Sequence, residues 1–284
     1  MEAYSGFAEV YDTFMDQTPY DEWCEYLTGL IGKYGISVPG EEETLESATD
    51  KERAEMPEAE EVLLSERNLV LELGCGTGNL TQRMAARGFD MIGVDNSQEM
   101  LSIAMEKRTQ GISPLYLLQD MRELELYSTV GTVLCVCDSI NYLLSEEDVS
   151  EVFRRVNNYL FPGGIFIFDF NTVYKYEQVI GDATIAESRE DCSFIWENYY
   201  DCEEQVNEYD LTIFVKDADT ERFRRFRETH YQRGYTAEQM TRLIREAGMR
   251  VELTVDADTH GAIRRESERI YILAREIKKG ESRQ

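Results

Sequence analysis

The chain predicts an α/β fold built on a parallel sheet, and three observations lead there. Over residues 69–170 short apolar runs alternate with amphipathic ones at the lengths of βαβ units. A loop with three glycines, Gly74-Cys75-Gly76-Thr77-Gly78, joins the first apolar run to the first helical pattern. Gly74, Asp95, Asp120, Asp138 and Asn171 all follow predicted strands and so gather at one edge. In open parallel sheets ligands bind beyond that edge, near the point where strand order reverses.

The elements follow in order. Residues 1–35 read as helical, with Trp23, Leu27, Leu30, Ile31 and Tyr34 on one apolar face and Gly35 as a stop. Tyr4, Phe7 and Tyr11 also share a face. Residues 38–66 change character: positions 41–61 hold ten acids against Lys51 and Arg53, which predicts a solvated linker or weak helix. Strands are then expected over 69–73, 90–95, 114–118, 131–137 and 164–170. Helices are expected over 78–87, 97–109 and 146–160. After Asn171 the rhythm changes to segments rich in aromatic and β-branched residues, 193–200, 205–215 and 222–231, separated by polar turns. These predict a three-stranded antiparallel sheet inserted at the ligand edge. A helix over 236–247, ended by Gly248, and strands over 249–256 and 268–274 return to the core.

Composition bounds the function. The 284 residues suffice for one large α/β domain with an insertion. The 56 acidic side chains against 29 basic ones give a net charge of −27, which repels nucleic acid at long range. The one dense basic run, Arg222-Phe223-Arg224-Arg225-Phe226-Arg227, suits a strand with arginines on both faces, paired to acidic neighbours. No apolar run reaches the length of a membrane span and no signal-peptide pattern opens the chain, so a cytoplasmic location is expected. Six cysteines form no Cys-x-x-Cys module and His230 and His260 lie far apart, so no metal is expected. Cys135 and Cys137 alternate along a strand and should share one face, as small apolar core residues. The expected partner is a small-molecule substrate acting on a monomer or homodimer.

The glycine loop carries the chemistry. Glycines adopt positive φ and let a ligand approach bare peptide groups, while the following helix turns unpaired N–H groups toward it. Asp95 ends the second strand about twenty residues on, where a carboxylate can accept from both hydroxyls of a ribose. An aspartate there can also cap the next helix, as can Asn96-Ser97. The NAD fingerprint, Gly-x-Gly-x-x-Gly, is matched imperfectly, which disfavours an NAD-linked oxidoreductase.

The segment from Leu71 to Thr81 resembles motif I of the class I S-adenosylmethionine (SAM) methyltransferases. Asp95 in Gly-Val-Asp-Asn-Ser-Gln-Glu-Met-Leu resembles their ribose-binding motif, and Gln119-Asp120-Met121 the loop beside the adenine. Val136-Cys137-Asp138-Ser139-Ile140-Asn141-Tyr142 falls at their catalytic-motif position, and Phe161-Pro162-Gly163-Gly164 resembles the turn before their fifth strand. Positions 4–12 are similar to the N-terminal helix that small stand-alone bacterial methyltransferases close over SAM. The resemblance covers nearly the whole chain outside about 38–66. It implies a Rossmann-like seven-stranded core with an N-terminal helical segment and a small antiparallel β insertion. The division is 1–66 for helical lid and acidic linker, 67–170 and 233–277 for the SAM-binding core, and 171–232 for the insertion as substrate lid.

The resemblance further implies SAM as cofactor, S-adenosylhomocysteine as product, and a binding set of Tyr11, Glu72, Gly74, Cys75, Gly76, Gly78, Asp95, Asn96, Met100, Asp120, Met121 and Asp138. Asp138, Asn141 and Tyr142 stand where relatives place substrate-orienting groups, and His230 is a candidate base, histidine being the side-chain type suited to proton transfer near neutral pH. The Asp/Asn-Pro-Pro-Tyr/Phe motif of amino methyltransferases acting on DNA bases and amides is absent. The acceptor atom is not legible. A catalytically silent SAM-binding regulatory or scaffolding protein is the alternative.

Overall fold

The structure is a computed structural model, and it describes residues 7–40, 58–107, 112–217, 220–277 and 279. The acidic stretch 41–57, Tyr4, the end of the predicted helix at 108–109 and the turn at 218–219 lie outside the described residues.

Five apolar strands, β1 (Val70–Leu73), β2 (Met91–Asp95), β3 (Leu115–Leu118), β4 (Val130–Cys135) and β5 (Leu160–Asn171), run parallel. β10 (Met249–Asp256) and β11 (Arg269–Glu276) complete a seven-stranded sheet of order β10-β11-β5-β4-β1-β2-β3, with β11 antiparallel to β5. Strand order reverses between β1 and β4, the switch point at which a crevice opens.

Helices cover both faces, because strands buried on two sides need two apolar layers. One layer holds α2 (Tyr20–Tyr34) and α4 (Asn79–Ala86), whose Cys24, Leu27, Ile31 and Met84 pack on Val70, Leu134 and Ile167. α6 (Glu146–Tyr159) and α7 (Ala237–Glu246) form the other, where Val152, Phe153 and Leu243 meet Val133, Phe166 and Phe168. A capping box at Thr236 and Gln239 starts α7, and Gly248 follows it in the left-handed region. α3 (Glu58–Asn68) enters β1, and α5 (Gln98–Glu106) is capped by Ser97, whose hydroxyl accepts from the Met100 N–H.

Three expectations are corrected. The helical stretch at 1–35 is two helices, α1 (Ala8–Phe14) and α2, because Pro19 lacks an N–H and biases Thr18 away from helix. The turn at 161–164 is a bulge inside β5: Val130 pairs with Leu160 and Thr132 with Ile165. The separate antiparallel sheet has four strands, not three: β6 (Thr184–Ser188), β7 (Cys192–Asp201), β8 (Val206–Lys216) and β9 (Phe223–Arg233). β6 is an exposed edge strand with Ile185 as its single large apolar residue, which leaves no apolar periodicity to read.

α1 packs on the inner face of this second sheet, with Phe7, Val10 and Phe14 against Leu211, Ile213 and Phe226. Arg224 pairs with Glu9 and Asp217, and Arg227 with Asp210, as the acidic composition suggested for the basic run.

Candidate active site

A cleft partly open to solvent lies over the switch point. Gly74 and Gly76 line it from the loop after β1, Asp95 and Asn96 from the end of β2, and Gln119, Asp120, Met121 and Arg122 from the end of β3. Cys137, Ser139, Tyr142 and Leu143 line it after β4, with Met100 of α5 and Tyr11 of α1. The chain thus brings together Tyr11, Gly74, Gly76, Asp95, Asn96, Met100, Asp120, Met121 and Tyr142 from the predicted set. Gln119, Arg122, Ser139 and Leu143 were missed, although each neighbours a predicted residue.

Asp95 is held by two backbone donors. Its Oδ2 accepts from the Gly76 N–H at 2.8 Å and its Oδ1 from the Ser97 N–H at 2.9 Å. Burial raises its pKa against these bonds. Each oxygen keeps a further acceptor position for a hydroxyl. Gly76 has φ +53° and a Cβ built on it meets nothing within 4 Å, so the missing side chain leaves space on the cleft side. Asp120 is held by Arg122, whose Nε lies 3.0 Å from Oδ1 and whose pairing keeps the carboxyl below the usual range.

Other predicted residues sit behind the wall. Glu72 is 3% exposed, accepts from the Thr81 hydroxyl and does not line the cleft; burial pushes its pKa up to about 8. Cys75 is buried beneath the loop. Gly78, at φ +73°, is a glycine for packing: a Cβ there would stand 2.5 Å from the Tyr116 hydroxyl. Asn141 is wholly buried and spends its amide on backbone, donating to the carbonyls of Asn171 and Arg233 and accepting from the Asn171 N–H. Asp138 accepts from Arg269 Nη2 and Gln232 Nε2, both at 2.7 Å. Cys135 and Cys137 do not share a face. β4 ends at Cys135, which packs with the α6 layer, whereas Cys137 has φ +58° and turns to the α2 layer.

His230 is buried rather than superficial. Its Nε2 lies 3.2 Å from Glu228 Oε2, and its ring stacks on Tyr209 at 5.0 Å between centroids. The Tyr209 hydroxyl reaches across to that of Tyr142 at 2.7 Å, so the inserted sheet meets the cleft wall through this pair.

Asp12 had no signal in the helical pattern. It accepts from the Thr77 hydroxyl at 2.6 Å and the Asn79 amide at 2.9 Å and pairs with Lys107 at 2.7 Å. α1 is thereby hooked to the glycine loop. Asn79, an early residue of α4, serves the hook.

A positive-φ glycine facing open space, a twice-held aspartate one strand away and a polar third strand end fit a nucleoside with an amino-acid tail. Residues 70–164 match the family model described as methyltransferase domain. The chain is 32% identical to the protein named "Putative methyltransferase YqeM" of Bacillus subtilis (strain 168), over 97% of this chain and 98% of that one. Its fold superimposes on a crystal structure of an S-adenosylmethionine-dependent methyltransferase from Clostridium acetobutylicum ATCC 824 with a TM-score of 0.78 at 26% identity, covering 98% of this chain and all of the other. A shorter match, 26% identical over 37% of this chain and 41% of the relative, is to the dTDP-4-amino-2,3,4,6-tetradeoxy-D-glucose N,N-dimethyltransferase of Saccharopolyspora spinosa. The chain belongs to the class I SAM-dependent methyltransferases. It is an enzyme of that family and its cofactor is SAM.

Proposed function

We propose that the enzyme methylates a small molecule that enters the cleft beneath α1, in the cytoplasm. The observation that carries this is the position of α1. Tyr11 lines the cleft while Asp12 is hooked to its far rim, so an acceptor has to fit beneath a helix. A net charge of −27 speaks further against nucleic-acid substrates. The Saccharopolyspora relative, by its name, acts on a nucleotide sugar, which is an acceptor of this size class. Free cysteines throughout the described residues suit a reducing compartment. In this reading 67–170 and 233–277 form the cofactor-binding core, 1–66 the lid and linker, and 171–232 the acceptor-side lid.

SAM supplies a methyl carbon on a positively charged sulfur that leaves as a neutral thioether, so no acid is required to expel it. The residues align and exclude water. Asp95 accepts from the ribose hydroxyls, Asp120 and Met121 border the adenine, Asn96 and Met100 line the nucleoside side, and Gly74 and Gly76 leave their backbone bare for the amino-acid tail. Tyr142, braced by Tyr209, stands where the acceptor is oriented. Alignment of this kind is worth about 7–11 kcal/mol in favourable cases.

The test is a pair of measurements. Methyl-labelled SAM incubated with cell extract and the enzyme should put label into the low-molecular-mass fraction. Asp95→Asn, which cannot accept from all its present donors, should weaken S-adenosylhomocysteine binding by about 10- to 100-fold. Label confined to protein or nucleic acid overturns the small-molecule reading.

A further inference from the structure

The backbone that leaves β4 for the cleft wall turns without a glycine. Cys137 and Asp138 stand at φ +58° and +52°, both in the left-handed region. Among the described residues no other two neighbours that carry side chains share that region. A Cβ there crowds the following carbonyl oxygen, so such a pair persists only where its surroundings hold it.

What holds it lies on the neighbouring strand. Asp169 of β5 is fully buried; its Oδ2 accepts from the Cys137 N–H at 3.1 Å and its Oδ1 from the Asp138 N–H at 2.7 Å. One carboxylate therefore binds both amides of the pair with charge-assisted bonds. Ile165 and Ile167, which alternate with Asp169 on the same face of β5, belong to the apolar layer under α2. A carboxylate at such a position is costly to bury, and nothing in the reaction described above uses it. Arg269 Nη1 lies 3.7 Å from Asp169 Oδ2, and Arg269 Nη2 and Gln232 Nε2 tie the Asp138 side chain.

The turn held in this way faces the ligand. Cys137 and Ser139 both line the cleft. The Ser139 hydroxyl donates to the Val136 carbonyl at 3.0 Å and lies 3.5 Å from the carbonyl of Gly74. With strands in the order β4-β1-β2-β3, the turn stands on the opposite side of the glycine loop from Asp95 and Asp120. A nucleoside held at the ends of β2 and β3 thus directs its sulfur and amino-acid tail toward this turn.

We infer that Asp169 is a positioning residue for the amino-acid end of the cofactor. It holds Cys137 and Asp138 in the left-handed region and so sets the wall at Cys137 and Ser139 against the sulfur and tail, without touching either. The inference rests on the reading that Gly74 and Gly76 leave their backbone bare for that tail.

The full-length enzyme should be titrated calorimetrically with S-adenosylhomocysteine and with adenosine, which lacks the sulfur and the tail. Asn at position 169 keeps the volume but can accept only one of the two amides. Asp169→Asn should weaken S-adenosylhomocysteine by about tenfold and adenosine by less than about twofold. Glycine adopts positive φ without steric cost, so in a Cys137→Gly background the same Asp169→Asn change should cost less than about threefold. Cys137→Val tests the turn with Asp169 intact, should Asp169→Asn fail to fold. Its β-branched side chain resists positive φ and should reproduce the selective loss relative to Cys137→Ala. A preference for S-adenosylhomocysteine over adenosine that survives in Asp169→Asn or in Cys137→Val overturns the inference alone. So does an equal loss for both ligands, or a loss as large in the Cys137→Gly background, because Asp169 would then support the core in general. Equal affinity of the wild type for the two ligands overturns it together with the reading of the tail site.

Discussion

Glu72 and Asp95 show how far neighbours one strand apart differ. Asp95 faces the cleft and stays bonded to backbone donors, whereas Glu72 points into the packed interior with the Thr81 hydroxyl as its partner. With its pKa raised from 4.5 to about 8, Glu72 holds a proton in the folded chain over a window where the unfolded chain has lost it. Stability from this group is therefore greatest below about pH 4.5 and declines as pH rises toward 8. Replacing Glu72 with Gln should flatten that decline, with a difference of up to a few kcal/mol between pH 5 and 8.5. Urea denaturation of both proteins across the range measures it, and parallel curves would refute the assignment. The glycines make a related point at the same scale. Gly76 and Gly78 look alike in the motif, yet one opens the cleft and the other admits Tyr116.

At the scale of elements, α1 is the instructive case. Seven residues are too few for a stable isolated helix, so its place depends on what it touches. Val10, Phe7 and Phe14 bind it to the second sheet, and the Phe7 N–H donates to Glu228 Oε1 at 3.0 Å. Asp12 reaches the glycine loop at Thr77 and, beside it, Asn79 and Lys107. Asp12→Ala should release the lid from the loop and leave the packing to the sheet. The expected result is a roughly tenfold faster dissociation of S-adenosylhomocysteine in stopped-flow, since the hook's bonds are worth about 1–2 kcal/mol, with the melting temperature nearly unchanged. An unchanged dissociation rate would show that the hook does not gate the cleft. The π-helix Lys175–Ile180 was equally invisible in the sequence, yet it positions Lys175 and Tyr176.

The molecule as a whole joins two sheets at one seam. The large parallel sheet builds the cleft, and the four-stranded sheet contributes Tyr209, Gln232 and His230 along its inner face. If the insertion orients the acceptor through the tyrosine pair, Tyr209→Phe should lower methyl transfer to the extract acceptor by up to about tenfold, the value of one net hydrogen bond. Binding of S-adenosylhomocysteine should not change. Loss of cofactor affinity instead would mean that the seam supports the core rather than the acceptor. Among the described residues no helix is long and apolar enough to cross a membrane.

Much of this architecture was written locally. The alternation of apolar strands and amphipathic helices, the positive-φ demand of the glycine loop and Asp95 at a strand end are properties of short segments, and short-range periodicity and spacing disclose them. Side-chain destinations are a different matter. Asn141 reads as a substrate-orienting group until the fold brings the carbonyls of Asn171 and Arg233 to its amide. Asp138 reads as a substrate-orienting group until Arg269, far along the chain, closes on it. His230 reads as a candidate base until the inserted sheet lays it against Tyr209 and Glu228. The sequence by itself determined the order of strands and helices in the parallel core and the edge at which the cleft opens, because backbone propensity and hydrophobic period act over a few residues. Only the tertiary structure decided which edge residues face the cleft and that Asp12 ties α1 to the glycine loop. Those outcomes depend on contacts between segments that no local pattern encodes.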